Sequence, residues 1–129
     1  MRKADVKTER DVVEFLDGWS EFEQAVYLAT FRIPKGKVTT YGTIAKIVGK
    51  PGASRAVANA LHNNPLYPVV PCWRVVKADG GFGGRADHAS GRRRRVIEDG
   101  VPVLDGKVVM SDEVIFENAP ARRNVRKGT

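Results

Sequence analysis

The chain has 129 residues, 42% of them hydrophobic, and a formal net charge of +7. This length supports one domain with a single core. No apolar run approaches the roughly 20 residues that span a bilayer, so we expect no membrane partner. One cysteine excludes an internal disulfide and favours a reducing compartment, which we take to be the cytoplasm. One cysteine and two scattered histidines also disfavour a metal centre, and we expect neither a metal nor another cofactor.

The charge is divided unevenly along the chain. Residues 1–30 carry a net charge of −3, and residues 31–129 carry +10. A basic body favours a polyanionic partner, because association with phosphates releases condensed counterions. Many basic proteins bind no nucleic acid, so charge alone leaves the choice of partner open.

The predicted elements begin with two helices. An acidic leader over residues 1–19 contains a short amphipathic helix from Asp11 to Asp17. Ser20 and Glu23 then form a capping box that starts a second helix. The turn at residues 33–36, which contains both proline and glycine, ends that helix.

Two short helices in tandem follow, and together they predict a helix-turn-helix. Thr40 is placed to cap the first helix, whose buried stripe begins at Tyr41. A turn at residues 50–52 leads to the second helix, over about 53–61. The outward face of that helix carries Arg55, Asn59 and His62. Many helical hairpins share this pattern, so DNA binding is only one of its interpretations.

The lone cysteine lies in the second half of the chain. Cys72 stands between Pro71 and Trp73 in an otherwise apolar run. Such a thiol is either inert core or a nucleophile, and only its thiolate form reacts. The usual activator is a histidine. Neither histidine of the chain adjoins Cys72 in the sequence.

The remaining elements complete a mainly α fold. Four of the five residues 80–84 are glycine, but they lack the strand–loop–helix context of a phosphate loop, which excludes nucleotide binding. Arg92 to Arg95 start a final helix ending at Asp99-Gly100, and residues 101–110 predict a β-hairpin turning at Asp105-Gly106. We expect a winged helix-turn-helix-like, monomeric DNA-binding domain over residues 20–110. Residues 111–129 are predicted to be a basic, flexible tail.

Four ordered strings resemble the DNA-binding, active-site domain of the O6-alkylguanine-DNA alkyltransferases. They are IPKGKVTTYG at 33–42, ASRAV at 53–57, NNP at 63–65 and PCWRVV at 71–76. The larger members of that family carry a further N-terminal domain, and the size of this chain is more typical of the alkyltransferase-like branch. The resemblance implies a protein that binds duplex DNA in the minor groove and flips the damaged base out of the stack.

The resemblance also implies roles for residues of the helix-turn-helix. Arg55 would enter the duplex and fill the gap left by the flipped guanine, because a planar cation that stacks there offsets part of the unstacking cost. Tyr41 would press on the target phosphate, although its place in the stripe also suits a core aromatic. The implied DNA-binding residues are Thr40, Tyr41, Ala53, Ser54, Arg55, Ala56 and Asn59.

A lesion pocket around the cysteine is implied as well. Asn64 would join the helix-turn-helix to the active-site loop, Arg74 would order that loop, and the glycine run would form a lid. Trp73 would either offer a stacking wall to the flipped base or simply fill space. The implied pocket residues are Tyr41, Asn64, Pro71, Cys72, Trp73, Arg74, Val75 and Gly83.

Two positions depart from the pattern of active alkyltransferases. Active members read Pro-Cys-His-Arg, and their histidine, polarised by a glutamate, deprotonates the thiol through a water molecule. Here Trp73 replaces the histidine and Asp99 replaces the glutamate. The alkyltransferase-like relatives make the opposite change, because they lose the cysteine and keep the histidine.

Three hypotheses for the function stay open. The favoured one is a DNA repair protein that holds O6-alkylguanine beside Cys72 and Trp73 and hands it to nucleotide excision repair proteins, since loss of a base costs about 10²–10⁴ in rate. The second is a methylated-DNA–protein-cysteine methyltransferase, with Cys72 as alkyl acceptor and Asp99 as a weaker catalytic candidate. The third is a helix-turn-helix protein of undamaged DNA, which would show no preference for the lesion.

Overall fold

The computed structural model describes residues 1–117 and shows a mainly helical chain, which confirms the predicted fold class. Of the predicted flexible tail over residues 111–129, the part from residue 118 lies outside the described residues. Residues 114–116, also within that prediction, are instead hydrogen-bonded to Val38. Within residues 1–117 no helix is long and apolar enough to cross a membrane. The elements are α1 (Glu9–Phe15), α2 (Glu21–Phe31), β1 (Thr39–Thr40), α3 (Tyr41–Ile47), α4 (Ser54–His62), β2 (Val75–Val76), α5 (Ala86–Glu98), β3 (Val103–Leu104) and β4 (Lys107–Val108).

Reciprocal capping boxes start the first two helices. The Ser20 hydroxyl accepts from the Glu23 amide at 3.1 Å, as predicted for α2. Thr8 and Asp11 make the same arrangement at α1. Helix α1 therefore begins at Glu9, before the predicted Asp11, because an aspartate at the third helical position can complete the box as glutamate or glutamine usually does.

Helices α3 and α4 form the predicted helix-turn-helix. The Thr40 hydroxyl accepts from the Thr43 amide at 3.1 Å and caps α3, as the sequence indicates. Gly49, with a φ of 81°, ends this helix in the left-handed conformation that glycine adopts without strain. Tyr27 on α2 donates its hydroxyl to the Ala60 carbonyl at 2.7 Å and so fixes α4 against α2.

Two apolar clusters make up the core. The larger cluster packs the four helices α1, α2, α3 and α4 against the segment before Cys72. It includes Val6, Val12 and Leu16 from residues 1–19. The smaller cluster packs α5 and the β3–β4 hairpin around Trp73. Residues on both sides of the boundary predicted at 19/20 thus share one core.

Strand pairs tie the cysteine segment to the helix-turn-helix. Strand β1, which runs directly into α3, pairs in parallel with β2, so that Thr39 lies opposite Val75 and Thr40 opposite Val76. The β3–β4 hairpin turns at Asp105 and Gly106, both with positive φ, as predicted. Residues 114–116 also reach Val38, whose amide donates to the Val114 carbonyl and whose carbonyl accepts from the Phe116 amide, both at 2.7 Å.

Helix α5 begins earlier than the sequence predicted. It starts at Ala86, whereas the expected start lay between Arg92 and Arg95. Its first two turns carry alanine, serine, glycine and polar residues instead of an apolar stripe, so the helical periodicity was invisible there. Arg92 holds this part in place by donating to the carbonyl of Cys72 at 2.9 Å.

Candidate functional site

A cavity of about 350 Å³ opens beside Cys72. It lies between the end of α4, the loop that leads to Cys72, and the first turns of α5. Its volume is at the lower end of the range for small-molecule pockets. The lining residues are Leu61, His62, Asn64, Tyr67, Cys72, Asp87, His88, Gly91, Arg92 and Arg95.

A single 3₁₀ turn, Cys72–Arg74, positions the cysteine at the cavity wall. The Cys72 amide donates to the Val70 carbonyl at 2.9 Å, and the Arg74 amide donates to the Pro71 carbonyl at the same distance. Cys72 is only 5% exposed. Val75 follows at the start of β2 and is also buried, so the backbone on both sides of the thiol is fixed.

Asn64 shapes the loop between α4 and the cysteine. Its side-chain amide donates to the Val70 carbonyl at 2.8 Å, and its side-chain oxygen accepts from the Leu66 amide at 2.9 Å. The two ends of the Asn64 side chain thus fix the loop of residues 64–70 at two points, Leu66 and Val70. The neighbouring Asn63, and not Asn64, caps α4 by donating to the Asn59 carbonyl.

Trp73 lies behind the cavity and is not among its lining residues. The indole Nε1–H donates to Asp99 Oδ2 at 3.0 Å. The guanidinium carbon of Arg95 lies over one face of the ring, 4.0 Å from the ring centroid. The Tyr67 ring packs edge-on against the indole, with 5.8 Å between the ring centroids. Trp73 is 3% exposed. Its ring is therefore already covered, and its nitrogen can only donate a proton in a hydrogen bond, never accept one.

Asp99 receives the side chains of both residues that follow the cysteine. Arg74 donates to it from Nε at 2.8 Å, and donates from Nη1 to the Ile33 carbonyl at 2.9 Å. Burial is the largest influence on the Asp99 carboxyl and raises its pKa. The hydrogen bonds from Arg74 and Trp73, with the charges of Arg74 and Lys35, outweigh burial and hold the pKa of Asp99 below its ordinary value. Asp99 is thus an ionised acceptor that fixes Trp73 and Arg74.

A tyrosine–histidine pair stands at another side of the cavity. Tyr41 Oη and His62 Nε2 are hydrogen-bonded at 3.3 Å. Burial, and then the charges of Arg92 and His88, lower the pKa of His62, so its imidazole is neutral at physiological pH. Burial raises the pKa of Tyr41, with Arg92 opposing the rise and Cys72 adding to it. The pair thus places a neutral imidazole at the wall that also holds the thiol.

Gly83 packs closely against the Tyr41–His62 pair. A Cβ at position 83 would come within 2.6 Å of Tyr41 Oη and 3.1 Å of His62 Nε2, so only glycine fits without displacing the pair. Of the predicted pocket residues, Asn64 and Cys72 line the cavity, whereas Tyr41 and Gly83 contact its wall through His62. The predicted pocket residues that do not line the cavity are Pro71, Trp73, Arg74 and Val75.

The predicted DNA-binding residues other than Tyr41 lie away from the cavity lining, at the beginning of α3 and along α4. Arg55 is exposed near the start of α4, and His62 is half-buried at its end. These two residues are separated by seven helical positions, or about 10 Å along the helix axis. Ser54, Ala56 and Asn59 are exposed as well, while Ala53 and Thr40 are half-buried and Tyr41 is buried.

Sequence reasoning missed most of the cavity lining. It placed His62 on the outward face of α4 with Arg55 and Asn59, whereas the structure turns His62 toward Tyr41. It also missed Tyr67, Arg92 and Arg95. The one available signal was that Arg92 and Arg95, three positions apart, share a helix face. Within residues 1–117 no group of three histidine, cysteine or acidic side chains is placed to hold a metal ion.

Comparison with known proteins identifies the family. Residues 21–101 match the family model described as "6-O-methylguanine DNA methyltransferase, DNA binding domain". The chain belongs to this family. A methylated-DNA–protein-cysteine methyltransferase of Mycolicibacterium paratuberculosis is 47% identical over 83 residues, which are 62% of this chain and 50% of the relative. The chain spans about half the length of the curated relatives it matches.

Two solved structures of alkyltransferase relatives share the fold. The O6-methylguanine methyltransferase of Mycobacterium tuberculosis is 38% identical, with a TM-score of 0.58 over 62% of this chain and 48% of its own. Schizosaccharomyces pombe Atl1, solved with damaged DNA containing O6-carboxymethylguanine, is 33% identical with a TM-score of 0.61. That match covers 78% of this chain and 91% of Atl1. The chain thus shares its fold with an alkyltransferase and with an alkyltransferase-like protein.

Proposed function

We propose that this alkyltransferase-family protein binds duplex DNA, flips O6-alkylguanine into the cavity beside Cys72, and holds the lesion there without removing the alkyl group. The observation that carries the proposal is the hydrogen bond from Trp73 Nε1 to Asp99. A donor-only indole stands next to the cysteine, where active members of the family, by the resemblance described above, have a histidine. The position cannot accept the thiol proton.

The cavity and the helix-turn-helix support the binding part of the proposal. The cavity wall includes Cys72, and strand β1, which pairs with the strand that follows Cys72, runs straight into α3. The exposed start of α4, with Arg55, is free to enter a groove, as the resemblance implies. A lesion that is held and not repaired needs other proteins to remove it, so we extend the proposal to hand-over to nucleotide excision repair.

An equilibrium binding experiment tests the proposal. Fluorescence anisotropy would compare duplexes that differ only by one O6-methylguanine, using the unchanged protein and Cys72→Ala. We expect both proteins to bind the modified duplex at least about tenfold more tightly than the plain one, because a damaged base pair costs less to open. Equal affinity for the two duplexes would contradict the proposal and favour a protein of undamaged DNA.

A second candidate function, alkyl transfer to Cys72, is favoured by one specific observation. His62 lines the same cavity as the thiol, and its lowered pKa leaves a ring nitrogen able to accept a proton. In this alternative His62 takes the thiol proton, the sulfur attacks the alkyl carbon, and guanine leaves with the electron pair on O6. Replacement of His62 by glutamine would then slow transfer by about 10²–10⁴ while lesion binding remained.

A further inference from the structure

The cavity beside Cys72 has an excess of positive charge that the protein itself does not neutralise. Arg92 and Arg95 both line it, three positions apart on α5. Within residues 1–117 neither guanidinium forms an ion pair with a carboxylate. The one carboxylate in the lining, Asp87, is exposed at the rim, where it lies 3.8 Å from Arg85.

Arg92 is bound by neutral acceptors alone. It donates to the Cys72 carbonyl from Nη1 at 2.9 Å and to the Leu61 carbonyl from Nη2 at 3.5 Å. A guanidinium has five N–H donors, so these two bonds leave most of its donors unused. Partial burial of a cation without a counterion is unfavourable, and a carboxylate in the cavity would relieve that cost by a charge-assisted, bidentate pairing.

Arg95 adds a second charge on the same wall. It stacks on Trp73 at 4.0 Å and donates only weakly to Tyr67 Oη, at 3.4 Å. Its place is thus fixed by ring contacts and not by an anion. Arg93 and Arg94, between the two lining residues, are exposed and do not line the cavity.

We infer that this cavity selects O6 adducts that carry an anionic group, with Arg92 as the residue that binds it. Resting on the function proposed above, the inference concerns the lesion class: an adduct whose O6 substituent ends in a carboxylate binds more tightly than a neutral adduct of the same shape. The Arg92 guanidinium is hydrogen-bonded to the Cys72 backbone, so an O6 substituent directed at Cys72 comes within its reach.

The test compares two adducts that differ in charge and hardly in shape. Duplexes carrying O6-carboxymethylguanine or its neutral amide, O6-carbamoylmethylguanine, are titrated with the full chain at one salt concentration. We expect the carboxylate to bind about tenfold more tightly, as for one hydrogen-bonded ion pair in a half-buried site. A ratio near one in the unchanged protein would overturn the inference without the need for any variant.

Two matched variants identify the residue responsible. Arg92→Gln removes the charge in the cavity and should bring the carboxylate-to-amide ratio close to one. Arg93→Gln removes the same charge from the exposed side of α5 and should leave the ratio unchanged. A ratio that survives in Arg92→Gln contradicts the inference. A loss of affinity by Arg92→Gln for every duplex, plain DNA included, with the free energy of unfolding unchanged, would show instead that Arg92 meets a backbone phosphate, and would overturn it.

A neutral adduct keeps the two proposals distinguishable. Affinity for O6-methylguanine relative to plain guanine tests the proposed function alone, since neither base carries a charged substituent. Preference for the methyl adduct with a carboxylate-to-amide ratio near one would support lesion binding and contradict the anion site.

Discussion

The helix-turn-helix is specified by residues that lie close together in the sequence, whereas the cysteine segment depends on contacts with residues far away in the sequence. In the α3–α4 unit the cap and the turn lie where the sequence predicts them, and Arg55 and Asn59 are exposed as predicted, whereas His62 turns inward. In the segment Cys72–Arg74 the two side chains after the thiol both bind Asp99, which is 25 and 26 positions away in the chain. The difference shows that the helix-turn-helix depends on short-range signals, whereas the residue after the cysteine is held by a long-range contact to Asp99.

The largest expected effect comes from restoring the residues of the active family members. Trp73→His with Asp99→Glu supplies a proton acceptor beside Cys72, and we expect single-turnover methyl transfer to rise by about 10²–10⁴ over the unchanged chain. The rate is followed by intact mass against time. Trp73→Phe, which removes the indole N–H without adding an acceptor, is the matched control. An unchanged rate in the double variant with lesion binding intact would show that proton transfer is not what limits this site.

The next effect concerns stability. Asp99→Asn leaves Arg74 without its anion in a mostly buried site, and we expect a loss of about 3 kcal/mol in the free energy of unfolding at neutral pH. The pKa of Asp99 is held below its ordinary value in the folded state, so its stabilisation is present at neutral pH and is lost as the pH falls below 3.8 toward the folded-state value. The two proteins should therefore converge in acid.

Denaturant unfolding at several pH values measures this gap between Asp99→Asn and the unchanged chain. The exposed Asp112→Asn is the control and should show no such gap. A gap that stays constant down to the lowest pH would mean that the Asp99 charge is not what stabilises the Trp73–Arg74 turn.

Substitution of Arg55 tests whether the exposed start of α4 takes part in binding the lesion-containing duplex. Arg55→Ala should weaken binding to an O6-methylguanine duplex by about tenfold or more, because the gap left by the flipped base is no longer filled. Affinity for plain duplex should fall only slightly, by the loss of one charge. Lys46→Ala, an exposed cation on α3, is the control for charge alone. Equal losses on modified and plain DNA would contradict the role of Arg55.

The smallest expected effect is on the stability of the fold and concerns Thr40, which ends strand β1 and caps helix α3. Thr40→Ala removes the hydroxyl that accepts from the Thr43 amide and should cost about 1 kcal/mol in the free energy of unfolding. Thr40→Ser keeps the hydroxyl and should recover most of that stability. If serine and alanine destabilise alike, the threonine contributes by packing between β1 and β2 and not by capping.

Local signals explain which parts of this molecule were predictable. Ser20 and Glu23, Thr40, Gly49 and the Asp105-Gly106 turn act within a few residues, so their effect is visible in the sequence. The Trp73–Asp99 bond, the His62–Tyr41 pair and the contact of Arg92 with Cys72 join residues 20 or more positions apart. The packing of α5 against the cysteine turn brings the first and third of these contacts together, and the packing of α3 against α4 brings the second together. The start of α5 was missed for a related reason, because no apolar stripe marks it.

The most direct measurement is an intact-mass spectrum of the protein after saturation with a duplex that carries one O6-methylguanine. Anisotropy on the same sample confirms that the lesion is bound, and Cys72→Ala is treated in parallel. We expect an unchanged protein mass together with lesion-selective binding. A methyl-sized mass gain that is absent from Cys72→Ala would contradict it and would identify this chain as an alkyltransferase, with His62 as the first residue to test as its base.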